Sequence, residues 1–355
     1  MKRLYGLIGI IVIFLCFAFV QESRPQSATR QKVPTVGILQ LLSHPALDTI
    51  HKGIIHGLAE EGYHVGKNIK IDYQNAQNDQ SNLKTMSARF VNEDADAMIG
   101  IATPAAQALA NASSKTPIVL GAITDPKGAD LVKSNRHPGN NVTGVSDQAP
   151  LKSQLHLIKK VMPKMKTLGI IYTSSDSSAT AQYHQFVALC KKEHVRLKSY
   201  SIANTNDLNQ VAEEMVTQVD AVYVPTDNTI ASAMQTLVAA ANAQKVPVFP
   251  AVDTMVKSGG LATLSVNQYQ LGVETGKMTA AILRGKNPAT MPIKFERQGE
   301  MAINLSAAKK LGITLPTSVV KEAQTHGRFL NEFNGICNRT RPPLGRPRGR
   351  IIPDL

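Results

Sequence analysis

Short clusters of hydroxyl, amide and carboxylate side chains recur along this chain, nearly all directly after apolar runs. They are Ser43-His44 with Asp48, then Thr103, Thr124-Asp125, Ser146-Asp147, Ser174-Ser175 through Ser178, Asp227-Asn228 and Asp253. Such groups suit the holding of a small polar molecule. Hydroxyls and the free N–H groups of a helix N-terminus bind a carboxylate, and Asp carboxylates bind an ammonium, so two such sets facing each other can surround a zwitterion. The same residue types cap helices, because a short oxygen side chain accepts from first-turn N–H groups, and Asp227, Asn228 and Thr229 serve either purpose. Recurrence after nearly every strand shifts the reading toward a ligand.

Turnover has no comparable support. His44 has no nucleophile or metal partner at recognisable spacing and reads as a ligand or packing contact. Neither a Gly-rich phosphate loop, a G-x-S-x-G elbow nor an H-E-x-x-H pair occurs. No catalytic residue, metal or cofactor is expected.

The elements that must position these loops alternate. Between Asp220 and Asp253 a β-branched run, a Pro-Thr-Asp-Asn break, a helical stretch over 229–244 and a second apolar run read as strand, loop, helix, strand. Strands are predicted at 36–41, 69–73, 97–101, 118–120 and 142–145, with helices at 46–61, 80–92 and 104–113 between them. The rhythm then restarts with helices at 151–161, 179–193, 207–217 and 269–284 and strands at 167–172, 196–201, 222–224, 246–249 and 261–266. A parallel pair needs a crossover, and the loops after the strands then gather at one sheet end, where open α/β sheets bind ligands. The fold class is therefore α/β, with two Rossmann-like parallel-sheet lobes joined by a multi-crossing hinge: 33–148 plus 268–292 in one lobe, 149–267 plus 293–322 in the other. Crossings are expected near 147–151, 266–269 and 292–299. Residues 293–295 and 302–304 look like a strand pair, 305–311 like a closing helix, and Gly312 and Pro316 end the ordered body.

The net charge of +13 over 355 residues belongs largely to the ends, since residues 33–326 hold 28 Lys and Arg against 23 acidic residues. Nothing resembles an aromatic and basic stripe tracking a phosphate backbone, so no nucleic-acid partner is expected. Residues 1–20 carry Lys2, Arg3 and a long apolar run, which reads as a signal peptide or membrane anchor. The bulky Phe14 and Leu15 before Cys16 argue against a lipobox and for a retained anchor, with 21–32 as a linker. Residues 323–355 are expected to form a basic, disordered tail. Cys16, Cys190 and Cys337 offer no zinc or disulfide spacing, and Cys190 reads as a buried apolar residue.

The segments SHPALD, NDQSNL, IATPAAQAL, NVTGVSD, YTSSDSSA, VPTDNTIASAM and VNQYQLG resemble the ABC-transporter substrate-binding proteins of the tryptophan/tyrosine type, found mainly in Gram-positive bacteria. The resemblance runs from about residue 32 to 322. It implies a type 1 periplasmic-binding-protein fold, a non-enzymatic extracytoplasmic receptor, delivery of ligand to a membrane permease, and an aromatic amino acid in the cleft, L-tryptophan first. It places the cleft loops at Ser43, His44, Asp48, Thr103, Thr124, Asp125, Asp147, Ser174, Ser175, Ser178, Asp227, Asn228 and Asp253. A monomer is expected. The alternative is a ligand-sensing domain of the same fold for another small amino acid or metabolite. Tyr172, Tyr223 and Phe249 end strands near the expected cleft and could flank an indole, although core packing is the commoner use of an aromatic there.

Overall fold

The computed structural model describes residues 33–296, 299–326 and 328–330. The expected anchor and linker at 1–32, Cys16, Cys337 and the tail beyond residue 330 lie outside the described residues.

In the first half, β1 (Thr35–Gln40), α1 (Pro45–Glu60), β2 (Lys70–Asn75), α2 (Gln80–Asn92), β3 (Ala97–Ile101), α3 (Thr103–Ala112), β4 (Ile118–Gly121) and β5 (Val142–Ser146) alternate as the hydrophobic pattern predicts. The chain continues through α4 (Leu151–Val161), β6 (Thr167–Thr173), α5 (Ser177–Lys192), β7 (Arg196–Ile202), α6 (Leu208–Val216), β8 (Ala221–Val224), α7 (Asn228–Ser232), α8 (Met234–Ala243), β9 (Val248–Pro250), α9 (Asp253–Lys257) and β10 (Ala262–Ser265). The last elements are α10 (Gln268–Leu283), β11 (Lys294–Phe295), β12 (Glu300–Asn304), α11 (Leu305–Leu311), α12 (Thr317–His326) and β13 (Arg328–Leu330).

Two parallel sheets result. One runs in the order β2-β1-β3-β4-β5-β11, the other β7-β6-β8-β9, and a small third sheet joins β10, β12 and β13. Strands β3, β4 and β5 are buried along their whole length, as apolar runs covered by helices on both faces must be. Each parallel sheet carries its own apolar core. The chain leaves the first core after β5, returns with α10, and leaves it again after β11, so three segments link the two lobes.

The first return is rigid because of glycine. Helices α1 and α10 touch backbone to backbone: a Cβ on Gly57 would stand 2.1 Å from the Val273 carbonyl oxygen, and one on Gly272 would stand 2.1 Å from that of Ile50. Only hydrogen at these positions permits the approach.

The structure departs from expectation in several places. The single helix expected over 229–244 is broken at Ala233 (φ −120°, ψ 25°), whose N–H bonds back to Ile230 and separates α7 from α8. Residues 293–295 do not pair with 302–304. Lys294 and Phe295 instead run parallel to Val145 and Ser146, which keeps them with the first lobe, while β12 is antiparallel to β10. Order also continues past Gly312 and Pro316. Helix α12 follows because Val319 and Ala323 are fully buried in the second core, and β13 pairs with β12. Among the described residues no helix is long and apolar enough to cross a membrane.

Candidate functional site

The C-terminal ends of β1, β3, β4 and β5 face those of β6, β8 and β9. Between them lies a cavity that opens to solvent, with roughly 430 Å³ of space between protein atoms when its open mouth is counted in. One wall comes from the first lobe: His44, Ala46, Leu47, Ala102, Thr103, Ala122, Thr124 and Asp147. The other comes from the second lobe: Ser178, Thr226, Asp227, Asn228, Ala231, Val252, Thr254 and Met255. Gln268, the first residue of α10, completes the lining where the chain crosses between lobes.

Helix α3 opens onto this cavity without a side-chain cap. Its preceding residue, Ala102, has φ 75° and ψ 154°, a region almost reserved for glycine. Holding alanine there costs on the order of 1–3 kcal/mol, which the surrounding fold must offset. Ala122, after β4, also has a left-handed φ of 62°. Strained backbone at two cavity-lining loops, together with an uncapped N-terminus, presents N–H groups and the positive end of a helix dipole to whatever enters.

Beside this positive end lies a carboxylate. Asp147 is 7% exposed and accepts from the Thr124 hydroxyl at 2.9 Å, while Ser146 ties the same loop through the Thr124 carbonyl at 3.2 Å. Burial raises its pKa to about 6, opposed by the Thr124 hydrogen bond and reinforced by the negative charge of Asp176 in the other lobe. Asp227 is fuller. It accepts from the Thr173 N–H at 2.6 Å, the Thr173 hydroxyl at 3.0 Å and the Ile230 N–H at 2.9 Å, thereby capping α7. Burial and Asp176 push its pKa upward, against those donors. Asp176 caps α5 through the Ser178 and Ala179 N–H groups. No Lys or Arg lines the cavity among the described residues, so positive potential there comes from backbone, hydroxyl and amide dipoles.

One hydrogen-bonded chain crosses the cleft. His44 caps α1, its Nδ1 accepting from the Ala46 N–H at 3.3 Å, which leaves the ring proton on Nε2. Nε2 donates to Asn228 Oδ1 at 3.1 Å, and Asn228 Nδ2 donates to Asp176 at 3.3 Å. Burial holds the imidazole below its ordinary pKa, so the ring is neutral near pH 7.

Of the residues expected from sequence, the structure gathers His44, Thr103, Thr124, Asp147, Ser178, Asp227 and Asn228 around the cavity. The others lie apart from its lining. Ser43 donates to Asp48, which also accepts from Gln40. Asp125 accepts from the Gly128 N–H, and Ser174 and Ser175 bond the carbonyls of Ile202 and Ala203. Asp253 pairs with Lys257 at 3.7 Å. The aromatics do not flank it either: Tyr223 donates to Gln154 and stacks on Phe186, Phe249 is 2% exposed, and Tyr172 stacks on Tyr183.

The apolar lining at Leu47, Ala231, Val252 and Met255, and the hydroxyl of Thr254, were not anticipated. All but Val252, the extended residue just before α9, lie inside helices, where the pattern gives no sign that one turn faces a cavity. Thr226 and Gln268 fall within the distinctive runs PTDNTIASAM and VNQYQLG. Among the described residues no cluster of His, Cys, Asp and Glu is arranged to hold a metal ion.

A family model described as ABC transporter substrate binding protein matches residues 35–327. A tyrosine-binding protein of Clostridioides difficile is 37% identical over 290 residues, covering 82% of this chain and 84% of that protein. Among solved structures, the ABC domain in complex with L-Trp from Streptococcus pneumonia is 44% identical with a TM-score of 0.81, covering 84% of this chain and 99% of that one. The ligand-free, open structure of a substrate binding protein with adhesive properties from Clostridium difficile is 34% identical, with a TM-score of 0.66 over 84% of this chain and 99% of the other.

Proposed function

Because this chain belongs to the family of ABC transporter substrate-binding proteins, we propose that it closes on an aromatic amino acid, L-tryptophan first, and delivers it outside the cytoplasm to a membrane permease. Its fold is that of the type 1 periplasmic binding proteins, and its family comprises binding proteins rather than enzymes. The observation that carries the ligand class is the division of the cavity lining between two chemistries. Asp147 and the uncapped N-terminus of α3 are fit for an ammonium and a carboxylate, while Leu47 from one wall and Ala231, Val252 and Met255 from the other supply apolar surface. An amino acid with a large apolar side chain matches that division. Relatives that hold tyrosine or L-Trp support the aromatic choice. The protein works as a monomer in this reading.

The chain contains no tryptophan, which makes the test direct. Excitation at the red edge, where tyrosine absorbs little, reports only on added L-tryptophan. A saturable blue shift with raised anisotropy is expected, with L-tyrosine and L-phenylalanine competing. Indole-3-propionate, which lacks the ammonium, should bind at least tenfold more weakly, the contribution of a charge-assisted hydrogen bond. Absence of any signal or competition would discard the aromatic ligand.

A further inference from the structure

We infer that Gln154, from outside the cavity, is a positioning residue for ligand capture: it ties the second-lobe wall to two of the three segments that link the lobes, so that wall and crossings move as one piece when the cleft closes. This rests on the reading of the chain as a protein that closes on an amino acid. Gln154 is the single polar side chain among the buried residues of α4, and it is 2% exposed. Its Nε2 donates to the carbonyl oxygens of Leu264 at 2.7 Å and Ala251 at 3.0 Å, with the Thr263 hydroxyl oxygen at 3.4 Å, and its Oε1 accepts from the Tyr223 hydroxyl at 2.7 Å. Carbonyls can only accept, so these partners fix which way the amide faces.

None of these residues lines the cavity, yet each of the tied segments runs directly into a part of the lining. Ala251 precedes Val252 and the α9 residues Thr254 and Met255. Tyr223, in β8, precedes Thr226, Asp227 and Asn228, and Leu264, in β10, leads through the crossing to Gln268. Helix α4 itself begins just past Asp147, where the chain first leaves the first lobe. Separate stretches of wall and crossing therefore meet at one buried amide. An apolar side chain would fill the same space but let its neighbours slide, whereas directional hydrogen bonds fix the register of each segment against the others. Without them the wall samples arrangements in which its groups do not converge, and apparent affinity falls by the fraction of molecules still arranged to bind.

The test uses the full chain, with titration calorimetry of L-tryptophan and L-tyrosine set beside the ligand-free melting temperature. Gln154→Met keeps an unbranched side chain of similar length and removes all the ties. It should lower the melting temperature and weaken both ligands by about tenfold and to the same extent, because the competent fraction belongs to the protein. Adding Tyr223→Phe removes the hydroxyl left without a partner. The double variant should regain much of the lost melting temperature and none of the lost affinity, since the carbonyls of Ala251 and Leu264 remain untied. Affinity that stays within about twofold of wild type in the single variant, or that recovers with stability in the double, overturns the inference. The wild-type protein supplies a check that needs no variant: the Gln154 side-chain amide protons should exchange slowly by NMR with and without L-tryptophan, and rapid exchange in the ligand-free protein overturns the inference too. A wild-type protein that binds neither ligand instead overturns the reading beneath, which that first titration tells apart.

Discussion

At the scale of single residues, Asp147 is held in a form that the empty protein does not favour. Its folded pKa of about 6 lies above the ordinary aspartate value of 3.8, so the folded state retains a proton across that interval that the unfolded chain gives up. Stability from this group is present at low pH and is lost as pH rises through about 6. At pH 7.5 the ionised carboxyl costs the empty protein up to about 3 kcal/mol, at 1.36 kcal/mol per pKa unit. Asp147→Asn keeps the acceptor for Thr124 and removes that cost. It should raise the melting temperature of the ligand-free protein at pH 7.5 while weakening an amino acid ligand by roughly 10- to 100-fold, the loss of one charge-assisted bond. Wild-type affinity should be flat above pH 7 and fall by up to tenfold per unit below about pH 6, because only the carboxylate accepts the ammonium. Calorimetry across pH 5–8 decides the matter, and a variant with the same pH profile as wild type would remove Asp147 from this role.

At the scale of elements, the decisive packing is α1 against α10, since α1 begins at His44 in the cavity wall and α10 begins at Gln268 in the crossing. Gly272→Ala drives a methyl against the Ile50 carbonyl, a backbone atom that cannot rotate away. Overpacking of this kind should cost about 3 kcal/mol, read as a lower midpoint in urea. A loss below about 0.5 kcal/mol would show that the helices separate freely. The alternation of strands and helices was legible in sequence because period and turn residues are local signals. The pairing of β11 with β5 was not, because a two-residue strand carries no pattern and its partner lies far away in the chain. Helix α12 was hidden for a related reason: Gly312 and Pro316 are genuine breakers, and only the second core explains why Val319 and Ala323 resume a helix beyond them. Polar loops at the sheet ends were readable. Which of their side chains turn inward was not, since Ser174, Ser175 and Asp125 spend their bonds within their own loops or on neighbouring loop carbonyls.

At the scale of the whole molecule, the two lobes meet. Ala46, from a helix of the first lobe, is buried in the core cluster of the second, and His44 reaches Asn228 across the cleft. The likeness is correspondingly greater to the L-Trp complex, TM-score 0.81, than to the ligand-free open structure, 0.66. Closure has opposing terms. The His44–Asn228–Asp176 chain favours it, while Asp147 and Asp176 bring two negative charges toward one another as the lobes approach. An ammonium placed beside Asp147 removes the repulsion and leaves the hydrogen-bonded chain intact, so the closed state gains most when an amine is inside. His44→Asn separates these terms. Asparagine still caps α1 but is too short to span to Asn228, so the helix survives and the bridge does not. The dissociation rate of bound L-tryptophan in stopped flow should rise several-fold to tenfold, with the association rate and the ligand-free melting temperature little changed. If dissociation is unaltered, the bridge does not hold the cleft shut, and closure rests on the ligand's own contacts with the two walls.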